Sequence, residues 1–81
     1  MRTPITLNEF VFTLCQEEDI MLNVMDYFTD RILYHGWKLD SIVPHGIPHS
    51  FGELGEWYVQ YFATASGGLE IFVVKDIKDL D

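Results

Sequence analysis

The chain has 81 residues, 48% hydrophobic and 15% aromatic, and its 13 acidic against 5 basic side chains give a formal net charge of −8. That length admits one hydrophobic core and so a single domain over residues 1–81, and the apolar content is too high for a disordered chain. Arg2, Arg31, Lys38, Lys75 and Lys78 are scattered, whereas phosphate neutralisation needs clustered cations, so direct nucleic-acid binding is disfavoured and an anionic membrane surface would repel the chain.

Cys15 is the only cysteine, which rules out an internal disulfide and fits a reducing compartment. No apolar run approaches the roughly 18–20 residues of a membrane span, and Met1-Arg2-Thr3-Pro4 leads into no signal-like segment. The expectation is a soluble, cytoplasmic protein.

Thr6-Leu7-Asn8-Glu9 has the spacing of a capping box and predicts a helix from Leu7. Leu7, Phe10, Val11 and Leu14 then share one helical face, with Asn8, Glu9 and Thr13 turned away. The polar Gln16-Glu17-Glu18-Asp19 segment bends this helix or begins a second. Over the next stretch Ile20, Met21, Val24, Met25, Phe28 and Ile32 form an apolar stripe at helical spacing, ended by Gly36. On its opposite side Asp19, Asn23, Asp26 and Asp30 recur at three- and four-residue intervals as an acidic ridge.

Beyond Gly36, Trp37 to Val43 reads as a strand closed by Pro44. Pro44 to Gly55 is a long loop whose Ile47, Phe51 and Leu54 either plug the core or meet a ligand. Glu56 to Thr64 is a strand with Trp57, Val59, Tyr61 and Ala63 on one face and Tyr58, Gln60 and Phe62 on the other. Ala65-Ser66-Gly67-Gly68 turns it into an antiparallel return from Leu69 to Lys75. Residues 76–81 are expected to fray. The predicted fold is α+β: an N-terminal helical segment of one or two helices packed on a three-stranded antiparallel sheet, with Trp37, Phe28 and Val59 in the core.

The segment His35-Gly36-Trp37-Lys38-Leu39-Asp40-Ser41-Ile42-Val43-Pro44 resembles the helix-Gly-Trp-strand segment of a widespread bacterial family of uncharacterised small domains. The resemblance implies a helix ending at Gly36-Trp37 followed by a sheet. It implies no activity.

Signatures of catalysis are missing from the sequence. Gly67-Gly68 lacks the Lys-Ser or Lys-Thr of a phosphate loop, no nucleophile elbow surrounds Ser41, Ser50 or Ser66, and Cys15 on an apolar face reads as a buried thiol. We therefore expect no enzyme and no cofactor. His35, His45 and His49 with Glu53 contain the donor types zinc takes, but Pro48 within His45-Gly46-Ile47-Pro48-His49 breaks the helical spacing of two-histidine motifs.

These readings favour a small acidic protein-binding module. Its partner is expected to be a protein with a basic surface; a stoichiometric inhibitor of a nucleic-acid-handling protein, of the phage anti-defence or toxin-immunity type, has this size and charge. Homo-oligomerisation stays open. The residues expected to meet the partner are Asp19, Asp26, Asp30, Phe51, Glu53, Tyr58 and Phe62. The alternative is a small-molecule or metal-dependent regulatory domain using the loop of residues 44–55.

Overall fold

The structure is a computed structural model that describes residues 3–14, 19–37, 42–43, 47–48, 51–65 and 68–80. Helix α1 (Leu7–Thr13) starts at the capping box expected from the sequence. The Thr6 hydroxyl accepts from the Glu9 amide at 3.2 Å, and Glu9 Oε1 accepts from the Thr6 amide at 3.0 Å. Two otherwise orphaned amides of the first turn are thereby satisfied. The helix directs Leu7 and Val11 into the core, with Phe10 and Leu14 packed against it, as the 3.6-residue spacing requires. After Thr13 the chain turns extended at Leu14.

The predicted second helix is instead a β-hairpin, β1 (Met21–Asp26) and β2 (Ile32–Trp37). Its turn shows why. Asp26 Oδ1 accepts from the Phe28 amide at 2.9 Å, Thr29 Oγ1 accepts from the Arg31 amide at 3.3 Å, and Asp30 sits at a φ of 59°. Short polar side chains that bond the backbone two residues on, and that tolerate the left-handed region, favour turns over helix. The helix that the resemblance implies before Gly36 is absent at the same place, because Gly36 and Trp37 end a strand. Of the expected strand from Trp37 to Val43, Trp37 belongs to β2 and the two-residue strand β3 (Ile42–Val43) pairs with β4 (Ile47–Pro48), while residues 38–41 lie outside the described residues.

Phe51 and a 3₁₀ turn at Gly52–Glu56 lead into the expected C-terminal hairpin, β5 (Tyr58–Ala65) with β6 (Gly68–Val74). β6 pairs parallel with β1, so the main sheet has four strands in the order β2-β1-β6-β5 and is mixed. This corrects the three-stranded antiparallel sheet, while the α+β class stands. A parallel pair joining two antiparallel hairpins arises because the extra hairpin, β1–β2, occupies the stretch assigned to helix. Ile5 to Leu7 clamp the start of β5: the Val59 amide donates to the Ile5 carbonyl at 2.9 Å, and the Leu7 amide to Trp57 at 2.8 Å. Near the C-terminus Asp76 caps a 3₁₀ turn at Ile77–Asp79.

One face of the sheet packs under α1. Leu22 and Val24 of β1, Leu69, Ile71 and Val73 of β6, and Val59 of β5 form the core with Leu7, Val11 and Phe51. Bulges at Leu33 in β2 and Gln60 in β5 interrupt the pairing. A bulge adds one residue and reverses the alternation beyond it. The Gln60 bulge therefore separates Val59 from Tyr61, which the sequence placed on one face. Trp37, 46% exposed, and Phe28, 65% exposed in the β1–β2 turn, are not core residues as expected, whereas Val59 is.

Candidate protein-docking face

α1 and the buried cluster lie against the first face of the sheet; on the second face Val74, opposite Tyr58, is buried, and the positions farther along β6 and β1 are half-buried. The rows of this second face follow from the register. Met25 lies opposite Ile32 on one side and Phe72 on the other, and Phe72 opposite Tyr61, so Ile32, Met25, Phe72 and Tyr61 form one row across all four strands. Tyr61 and Phe72 are stacked, with ring centroids 4.6 Å apart and planes at 12°. Tyr27 meets Tyr61 edge-on at 5.9 Å and Phe28 at 5.4 Å, which extends the aromatic series to the hairpin turn. Two residues further along the strands, His35, Asn23, Glu70 and Ala63 form a polar row, with His35 Nδ1 hydrogen-bonded to Asn23 Oδ1. Beyond it Trp37 lies opposite Met21. None of the side chains in these rows is buried.

A face with Ile32 63% exposed and Tyr61 47% exposed is unusual for a sheet that ends at solvent. Half-covered antiparallel sheets place polar residues outward, and contiguous exposed apolar area marks interaction sites. Aromatic residues and methionine are the types enriched at interface cores.

The residues expected to meet a partner do not come together. Asp19 is exposed ahead of β1, Asp26 ends β1 as the acceptor of the turn, and Asp30 is exposed within it, so the acidic ridge does not exist. Phe51 is a core residue, 7% exposed, with its ring 4.9 Å from that of Tyr34; the loop plugs the core there. Glu53 is exposed on the 3₁₀ turn. Phe62 belongs to the helix side, where its ring meets Phe10 at 4.9 Å while 53% exposed at the β5 edge. Tyr58, half-buried, pairs with Val74 and is the one expected residue at the border of the uncovered face. Sequence reasoning missed Tyr61, Phe72, Met25 and Ile32. The signal for Tyr61 was present in the aromatic content of the C-terminal hairpin, but the bulge at Gln60 moved it by one residue from Phe62.

Cys15, His45 and His49 lie outside the described residues. His35, placed by the sequence at a helix C-terminus, stands in β2. Among the described residues no group of three His, Cys, Asp or Glu side chains forms a metal site, and no helix is long and apolar enough to cross a membrane. A depression of about 370 Å³ runs along Asn8, Glu9, Phe12 and Thr13 on the outer side of α1, without the charged or aromatic convergence of the sheet face. No protein-family model, curated protein or solved structure matches the chain.

Proposed function

We propose that this chain is a protein-binding module that docks a partner with a basic surface onto the uncovered face of its sheet. The single observation that carries this reading is the row Ile32, Met25, Phe72 and Tyr61, an apolar strip across four strands in which no side chain is buried. Covering such a strip supplies the apolar burial that drives association, while the net charge of −8 selects and steers a basic partner. Proteins that handle nucleic acid present basic surfaces, so occlusion of one by a stoichiometric inhibitor is the mode of action that fits both features. No chemistry is required of the module itself.

The experiment is affinity capture from lysate of the source cell, run in parallel with wild type and a Tyr61→Ser/Phe72→Ser variant whose folding is verified by circular dichroism. Wild type should retain a basic protein in low salt and release it as salt rises. The folded variant should retain none. Equal retention by both would remove the sheet face from the reading.

A further inference from the structure

Glu70 is the only carboxylate among the uncovered positions of the four strands, and no Lys or Arg shares that face among the described residues. It lies half-buried between Asn23 on β1 and Ala63 on β5, in the same β6 row of side chains as Phe72. Asn23 directs its Oδ1 to His35, and Glu70 has no cation partner among the described residues. Whatever covers the apolar strip also strips water from this carboxylate. An ionised group desolvated without a counter-charge opposes binding strongly, so the occupant must bring a cation to this point.

A second copy meets this need poorly. Face to face, it would present the same rows, again with Glu70, with no Lys or Arg and with His35 as the one basic side chain among the described residues, its Nδ1 already bonded to Asn23, and would set two chains of −8 against each other. A basic partner meets both requirements. From the register and the strand rise, the apolar row of Phe72 and Met25 lies about 7 Å to one side of Glu70, and the row of Met21 and Trp37 about 7 Å to the other. We propose that this face binds a partner-protein segment in which one Arg or Lys, directed at Glu70, is flanked on both sides by apolar side chains. Arg suits the site best, because its planar head can bond the carboxylate in a fork and lie against the neighbouring rings. The inference rests on the protein-binding reading above and adds the chemistry of the partner.

The test uses the full chain, isotope-labelled for NMR, and a synthetic helical peptide with Leu, Arg and Leu at four-residue intervals, a spacing of about 6 Å between successive groups on one helix face. Amide shifts should concentrate at Met25, Glu70 and Phe72, and exchange of the peptide Arg for Glu should weaken binding about tenfold or more, the scale of a desolvated charge pair. Glu70→Gln, nearly isosteric, should weaken the Arg peptide similarly, and Glu70→Arg should invert the preference toward the Glu peptide. A peptide of equal charge with Ser for Leu should lose the localised shifts. Binding of the Arg peptide undiminished in Glu70→Gln, or shifts centred elsewhere, overturns the proposal. So does a dimer by sedimentation that disappears in Phe72→Ser, since the second copy is then the occupant. If a captured native partner is lost by Tyr61→Ser/Phe72→Ser but kept undiminished by Glu70→Gln, the role of Glu70 falls while the binding function stands; if neither variant affects capture, both fall.

Discussion

Tyr61 lies flat on Phe72 across the β5–β6 pair, and the pair stands in the open with Tyr27 against its edge. Such a stack adds about 0.5–1.5 kcal/mol beyond area burial, and Tyr61 is 47% exposed. Tyr61→Ser should therefore cost little stability, about 1 kcal/mol, while it removes the centre of the docking face. Chemical denaturation checks the first half of this statement and partner capture the second. A loss several times larger would mean that Tyr61 is covered within the chain itself.

Ile71 should behave in the opposite way. It is fully buried between Val24 and Phe62 in the register, under α1, and Ile→Ala at such sites costs about 2–5 kcal/mol, much of what a small domain has. Ile71→Ala should be largely unfolded by circular dichroism near physiological temperature. Trp37→Ala, at an exposed strand end, should stay folded, in contrast to what burial of Trp37 would demand.

How far the sequence could be read depends on whether one face of each element was polar. α1 was legible, because Leu7 and Val11 are apolar and Glu9 and Thr13 polar on opposite sides, with the capping box to mark the start. The C-terminal hairpin was legible from its β-rich runs and glycine turn. The β1 strand was not, since Leu22 and Val24 enter the core while Met21 and Met25 stand on the uncovered face. A strand apolar on both faces has no period of two to detect, and Met21, Val24, Met25 and Phe28 then coincide with helical spacing. The acidic ridge failed with it. The feature that hid the strand is the one that makes the face a candidate site.

The turn between β1 and β2 carries a prediction of its own. Asp30 has a φ of 59°, accessible to Gly and Asn but strained for a β-branched residue. Asp30→Gly should leave the thermal midpoint nearly unchanged, whereas Asp30→Val should lower stability by about 1–2 kcal/mol. Equal midpoints for the two variants would show that the turn conformation is not held.

Gly55 and Asn8 form a tight junction. A Cβ on Gly55 would collide with the Asn8 side-chain amide, whose Oδ1 is buried with no hydrogen-bond partner among the described residues. Gly55→Ala should thus destabilise, and Asn8→Ala alone should be neutral or stabilising because it removes a buried acceptor that costs about 1–3 kcal/mol when unsatisfied. The double variant should recover most of the Gly55→Ala loss. Simple additivity in a double-mutant cycle would contradict the contact.

Acid should act on α1 first through its cap. Hydrogen bonds from the Thr6 backbone amide and then the Thr6 hydroxyl hold the Glu9 carboxyl below its ordinary range. A carboxylate with a depressed folded-state pKa contributes stability above its unfolded value, about 4.3, and loses it as pH falls through the folded value. The gap in thermal midpoint between wild type and Glu9→Ala should be present at neutral pH and narrow through that acid window. A gap independent of pH would assign the effect of Glu9 to something other than its charge.

The two central strands of the sheet are drawn from distant parts of the chain, with Met21 in register with Gly68 and Asp26 with Val73. Neither hairpin completes the sheet until the other arrives, because β1 and β6 are each other's neighbours. During synthesis, the β1–β2 hairpin therefore waits for its second sheet neighbour while the rest of the chain emerges, at about 5–20 residues per second. The sheet is therefore complete only once β6 is in place, and the period of greatest exposure to aggregation and to premature capture by a partner falls before that pairing.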